Sequence, residues 1–218
     1  MLPVSNPYTT LFIDRDGVIN KRKVGGYVDH WEEFHYLNKS DEALVKLSRL
    51  FKHLIVVTNQ QGIGKGLTLL SKVKNIHRFL LDDVARKGGH LSGVFLCPHL
   101  KTDHCRCRKP FTAMAIQAQK YIPTIDFEQS IMIGDSRSDM QFGKAIGART
   151  ILVDGKNEEA IPSMLYDLKV DSLMQFYEKL NMEILAIQKK VVTEQASPKT
   201  TYTRREARAR LGSIFKKG

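Results

Sequence analysis

Four short stretches carry most of the residues able to do chemistry. Asp14-Arg15-Asp16-Gly17 sets two carboxylates two residues apart, close enough to converge on one cation where a strand runs into a loop. One such carboxylate can attack phosphorus as a nucleophile; the other can protonate a leaving oxygen and later deprotonate water. A divalent ion offsets the repulsion between carboxylates and a phosphate. Thr58-Asn59-Gln60, followed by Gly62, Gly64 and Gly66, offers a hydroxyl and free backbone amides to a phosphate oxygen, without the spacing of a Walker A loop. Arg108-Lys109-Pro110 offers a fork for an oxyanion and a point charge for phosphate. Gly134-Asp135-Ser136-Arg137-Ser138-Asp139 offers a carboxylate to complete an oxygen shell around magnesium. Each stretch also has a plainer reading. The first two suit solvated turns, and the third suits a surface basic pair. The fourth suits a helix start capped by Asp135 or Ser136, with Asp139 in the first turn.

A fifth cluster is of another kind. All three cysteines of the chain, Cys97, Cys105 and Cys107, lie within eleven residues, with His99 between them. Three thiols and one imidazole match the ligand count of a closed tetrahedral zinc site, and His104 is a competing imidazole. With every position filled by protein, such a zinc is structural. Cys107 directly precedes Arg108-Lys109, so the metal would fix the loop that delivers the lysine.

Hydrophobic patterning shows what must position these residues. Residues 9–14, 54–58, 93–97, 130–134 and 149–153 read as short buried strands. Helical patterns are expected from about Asp41 (capped by Ser40), over 69–87, from Thr112 to Tyr121, over 137–146 and over 159–188. Residues 15–40 read as loop. Alternating strands and helices predict an α/β, Rossmann-like parallel sheet covered on both faces. In such sheets the active site lies at the carboxyl ends of the strands. Asp14, Thr58, Cys97 and Asp135 all fall at strand ends, and that coincidence outweighs any single motif.

The order of these motifs resembles the haloacid dehalogenase superfamily of aspartyl-phosphate phosphatases, over residues 9–155. Within it, LFIDRDGVIN (11–20), VVTNQQGIGKG (56–66), CPHLKTDHCRCRKP (97–110) and MIGDSRSDM (132–140) look like one branch. That branch holds heptose 1,7-bisphosphate 7-phosphatases and histidinol-phosphate phosphatases. The resemblance implies roles. Asp14 is the nucleophile; Asp16 is the general acid and base, with its backbone carbonyl on magnesium. Thr58 and the Asn59 backbone hold phosphate, and Lys109 steadies the phosphoryl group. Asp14, Asp16 and Asp135 form the magnesium site, Arg108 contacts substrate, and Asp139 is a supporting or capping residue. Cys97, His99, Cys105 and Cys107 are implied as zinc ligands. The DGVIN and GGYVDHWEEF stretches are similar to the heptose enzymes, whose second phosphate Arg108 and Arg137 would meet. Against this, the five-residue gap between His99 and Cys105 is similar to the histidinol-phosphate group, and Ser136 stands where some heptose enzymes carry lysine.

Length and charge bound the remainder. The 218 residues suit one domain with an appendage, and 42% hydrophobic with 26% charged residues excludes wholesale disorder. The expected division is a capless phosphatase domain over 1–158 with the zinc loop at 97–107, a helical extension over 159–192, and a basic tail over 193–218. No insertion is long enough for a large cap, so the site should be open, bounded by residues 20–36 and the zinc loop. The net charge of +11 is concentrated at the end, where residues 189–218 hold nine basic side chains and two acidic ones. The tail raises a third reading, a polynucleotide 3′-phosphatase gripping a phosphate backbone. Its lack of interleaved aromatics and the zinc loop disfavour nucleic acid and favour a small phosphorylated sugar. A fourth reading, a zinc-stabilised binding module without catalysis, leaves the acidic, hydroxyl and lysine set unexplained. No apolar run reaches the ~20 residues of a membrane span, and MLPVSNPYTT lacks the basic and apolar regions of a signal peptide. A cytoplasmic location without membrane partners is therefore expected, as a monomer or as a dimer through the 159–188 helix.

Overall fold

The computed structural model describes residues 6–23, 25–154 and 160–195. The basic tail from residue 196 lies outside them. Along the chain run β1 (Thr10–Ile13), α1 (Ser40–Leu47), β2 (His53–Asn59), α2 (Gln61–Gly64), α3 (Leu70–Arg86), β3 (Gly93–Cys97), α4 (Ala113–Tyr121), β4 (Ser130–Gly134), α5 (Arg137–Ala145), β5 (Arg149–Val153), β6 (Leu168–Val170) and α6 (Leu173–Gln195). The strands form one parallel sheet in the order β3-β2-β1-β4-β5-β6. The chain leaves β1 toward β2 and β3, then returns to the other side of β1 as β4. The crevice between the carboxyl ends of β1 and β4 is thus the switch point where α/β sheets bind ligands.

The continuous apolar runs of the strands follow from burial on both faces. With a period of two, Leu11, Ile13, Leu54, Val56, Ile131 and Ile133 face one layer, built from α1, α3 and α6. Phe12, Ile55, Val57 and Met132 face the other, where Met114, Ala115 and Ala118 of α4 and Phe142 of α5 pack. This is the expected fold class. Among the described residues, no helix is long and apolar enough to cross a membrane.

The structure corrects three local expectations. Ser40 is not the cap of α1 but its first residue; Lys39 precedes it in the left-handed region, and the Ser40 hydroxyl donates to Ile19 O. The glycine-rich stretch after β2 closes into the single turn α2. Residues 160–172 hold no α-helix, only a 3-10 turn over Ser163–Leu165. They hold the edge strand β6, and the helix starts only at Leu173. Three residues are too short to show a strand period. The start signal is nevertheless written locally, since Ser172 Oγ accepts from the Gln175 N–H and Gln175 Oε1 accepts from the Asp171 N–H. On one face of this helix, Leu173, Phe176, Leu180 and Ile184 pack into the main core.

Because Phe176 is fully buried there, Phe176→Ala should cost about 3 kcal/mol or more of unfolding free energy. Urea unfolding measures this; a loss below about 1 kcal/mol would mean that α6 does not rest on the sheet in solution.

Candidate active site

The floor of the site is a buried ammonium. Lys109 Nζ donates to Asp14 Oδ1 at 2.6 Å and to Val57 O at 2.8 Å, and lies 2.5 Å from Asp139 Oδ1. Asp14 and Val57 take hydrogen bonds, Asp139 adds an ion pair, and Lys109 is only 3% exposed. Burial alone would lower its pKa, but Asp139 and Asp14 outweigh burial and hold it protonated. Asn59 fixes the lysine's backbone from both sides: its Oδ1 accepts from the Lys109 N–H at 3.0 Å and its Nδ2 donates to Lys109 O at 3.3 Å. The side chain of Asn59 thus sets the loop that carries the lysine.

Asp14 follows β1, and its N–H donates to Ile133 O of β4 at 2.9 Å. Asp135 follows β4. Adjacent strands thereby bring the two carboxylates together, and Asp14, Asp135 and Asp139 offer oxygens all within 4.8 Å of one another. Ser136 caps α5: Asp139 N–H donates to its Oγ at 3.3 Å, and Ser136 N–H donates back to Asp139 Oδ2 at 3.0 Å. Asp139 is therefore a capping residue through one oxygen and the second counter-ion of Lys109 through the other. Glycine is required beside this cluster. Gly17 has φ +102°, and a Cβ there would fall 1.9 Å from Asp135 Oδ2.

Three carboxylates in one buried place carry surplus negative charge. Burial, then the Asp139 charge, push Asp14 up to about 7 against the pull of Lys109. The same two causes push Asp135 up to about 6. This donor set is hard, anionic and convergent, and it fits a divalent cation such as magnesium. A residue that the sequence reading missed stands at the same place. Arg22 Nε donates to Asp16 O at 2.9 Å and Arg22 Nη2 to Asp135 Oδ1 at 2.6 Å. The Asp16 carbonyl and the Asp135 carboxylate, both implied as metal ligands, thus face one spot. Arg22 sits in an irregular loop, where no periodicity marks it.

The Asp16 carboxylate is not part of the acidic cluster. It faces a ring of donors: Arg15 Nη2 at 2.9 and 2.8 Å, Asn20 Nδ2 at 2.9 Å and Gln60 Nε2 at 2.7 Å. Burial would raise its pKa, but the Arg15 charge and these hydrogen bonds win and hold it below the usual carboxylate range. Arg15 is itself buried and donates from Nη1 to His77 Nε2 of α3 at 2.9 Å. Burial, reinforced by Arg15, pushes His77 down to about 3, so it is the neutral acceptor.

Above this floor opens a cleft of about 630 Å³, lined among others by Thr58, Arg22, Lys23, Tyr27, Arg108 and Arg137. Arg108 Nη1 is buried with no hydrogen-bond partner. Arg137 Nη2 lies 3.4 Å from Ala160 O. Beside the cleft, Cys97, His99, Cys105 and Cys107 gather their donor atoms within 4.8 Å, with neighbouring pairs at 3.1 to 3.6 Å. His104, the competing imidazole, is not in this group; it lines the cleft.

The pH dependence of stability follows from the two raised carboxylates. Their folded pKa values lie above the ordinary 3.8, so their contribution is present at low pH and is lost as pH rises through about 6 and about 7. The metal-free protein should therefore lose Tm across that window, and magnesium should raise Tm more above it than below it. Thermal unfolding at both ends checks this, and equal magnesium gains would refute it.

The comparisons with known proteins agree with this geometry. A family profile described as HAD-hydrolase-like matches residues 106–166. The D-glycero-alpha-D-manno-heptose-1,7-bisphosphate 7-phosphatase of Mycobacterium bovis is 36% identical over 171 residues, covering 76% of this chain and 88% of that protein. The D-glycero-beta-D-manno-heptose-1,7-bisphosphate 7-phosphatase of Helicobacter pylori is 37% identical over 139 residues, covering 63% of this chain and 79% of that protein. A crystal structure of D,D-heptose 1,7-bisphosphate phosphatase from B. bronchiseptica, complexed with magnesium and phosphate, matches with a TM-score of 0.72 at 27% identity, covering 80% of this chain and 99% of that one. The chain belongs to the haloacid dehalogenase superfamily of phosphatases, within its heptose-bisphosphate phosphatase family.

Proposed function

We propose that this chain removes the 7-phosphate of D-glycero-D-manno-heptose 1,7-bisphosphate through a phosphoaspartate on Asp14. The observation that carries this reading is the buried Asp14–Lys109 contact at the floor of a cationic cleft. Lys109 fixes the orientation of the Asp14 carboxylate by holding Oδ1. Asp14 attacks phosphorus, the bond from phosphorus to the sugar oxygen breaks, and Asp16 gives that oxygen a proton. Asp16 then takes a proton from water as the water attacks the phosphoaspartate, which releases phosphate and restores Asp14. Asp16, ionised in the free site, takes a proton from solvent as the negative charge of the arriving phosphate raises its proton affinity, and this is the proton it passes to the leaving oxygen. Thr58 and backbone amides after β2 hold the phosphoryl oxygens. Magnesium, held by Asp14, the Asp16 carbonyl and Asp135, supplies charge that offsets the carboxylates and phosphate. Arg108, with a buried donor lacking a protein partner, suits the second phosphate, and Arg137 stands at the same rim. The presence of both anomer-named enzymes among the relatives supports the sugar and leaves both anomers in the test.

The same reading assigns zinc to Cys97, His99, Cys105 and Cys107, supported by the closeness of three sulfurs and one imidazole nitrogen. Zinc there would brace the loop leading to Lys109.

Phosphate release should favour heptose 1,7-bisphosphate over histidinol phosphate and over a 3′-phosphorylated oligonucleotide; a preference for either of the others overturns the substrate. Asp14→Asn should lower turnover at least ~10³-fold, and near-wild-type turnover would remove Asp14 as nucleophile. Chelation should stop turnover and magnesium restore it. Cys105→Ser should lower both zinc content, read by elemental analysis, and activity; undiminished zinc would refute the assignment.

A further inference from the structure

One buried side chain touches two members of the catalytic set without reaching the cleft. Gln60 is 1% exposed and does not line the cleft, so it cannot meet substrate directly. Its backbone N–H donates to Cys97 O at 2.7 Å, which anchors it to the end of β3. Its Nε2 donates to Asp16 Oδ2 at 2.7 Å and to Thr58 Oγ1 at 2.8 Å. The Asp16 carboxylate already accepts from Arg15 and Asn20, and the Gln60 nitrogen is its further donor. Thr58 Oγ1 then accepts a hydrogen bond from Gln60, which occupies one of its lone pairs. Among the described residues no protein group accepts its own hydroxyl hydrogen, and Thr58 lines the cleft.

We propose that Gln60 is a positioning residue of phosphoryl transfer. Its single amide nitrogen holds the Asp16 carboxylate in register and turns the Thr58 hydroxyl hydrogen toward the phosphate. The arrangement couples the proton donor to the phosphate grip through one rigid group. Arg15, seated on His77, braces Asp16 from the other direction. Asp16 thus meets donors from three separate places in the chain, and Gln60 alone among them also touches Thr58.

Rotational freedom of Asp16 matters most where the leaving oxygen needs its proton. A primary alkyl phosphate needs it, and p-nitrophenyl phosphate, with an acidic leaving group, scarcely does. The second-order constant kcat/KM reports the first chemical step, which is the one that uses the acid. Gln60→Met removes both hydrogen bonds at similar volume. It should lower kcat/KM about 100-fold for the alkyl ester and about 10-fold or less for the aryl ester. Gln60→Glu keeps the side chain's length and shape. It should lose more than Gln60→Met on both esters, because a carboxylate repels Asp16 and captures the Thr58 hydrogen. If Gln60→Met does not fold, the Glu variant carries the test through the same alkyl-to-aryl ratio. Introducing Gln60→Met into Asp16→Asn should produce no further alkyl-selective loss.

Equal fractional losses on the two esters, or wild-type rates in Gln60→Met, would reduce Gln60 to a packing residue. The inference rests on the roles proposed above for Asp14 and Asp16, so Asp14→Asn is assayed alongside. An inactive Asp14→Asn with an unaffected Gln60→Met sinks the Gln60 assignment alone. An active Asp14→Asn sinks the mechanism beneath it.

Discussion

A lysine ammonium buried between two aspartates and a backbone carbonyl is the constraint around which the site is built. Lys109 Nζ is buried, so its charge needs partners supplied by the protein. Asp14, Asp139 and Val57 supply them. These acceptors come from the end of β1, the first turn of α5 and the interior of β2. The lysine can be satisfied only when three separate elements of the sheet layer are correctly docked. Removing one partner would leave a buried charge uncompensated, which is costlier than the pair is stabilising.

The charges around that lysine do not cancel. Asp14, Asp135 and Asp139 crowd one volume, and Lys109 answers two of them. Burial and mutual repulsion leave Asp14 and Asp135 as reluctant anions. Arg22 answers Asp135 from a loop, with half of its side chain in solvent. A site with excess carboxylate is suited to recruit a hard cation, and a cation there in turn makes room for a phosphate dianion. Asp16 is treated differently: a ring of donors keeps its carboxylate ionised, away from the crowd. Two aspartates two residues apart therefore have opposite electrostatic surroundings: Asp14 is crowded by other carboxylates and Asp16 is ringed by donors.

Much of this could be read from the chain. The apolar runs ending in Asp14, Thr58, Cys97 and Asp135 announced a parallel sheet with chemistry at one edge, because a strand buried on both faces must be apolar throughout and polarity can begin only at its end. The six-residue span from Gly134 to Asp139 announced both a carboxylate site and a helix cap, and both features are present. What escaped was short, irregular or distant. β6 has three residues, too few for a period. Arg22 lies in a stretch without repeating pattern. Gln60 was visible beside Thr58, yet nothing local showed its amide reaching Asp16, 44 residues away in sequence.

By itself, the sequence determined which donors exist, their order along the chain and the class of fold that lines them up, since strand and helix periods are local properties. Tertiary structure decided the pairings. Lys109 meets Asp14 across 95 residues, Arg22 meets Asp135 across 113, and His77 rather than any neighbour receives Arg15 across 62. It also selected His99 over His104 for the cysteine cluster. The physical reason is that a hydrogen bond or ion pair depends on ångström-scale approach and direction. Only the packed sheet and its covering helices fix these for residues so far apart in the chain.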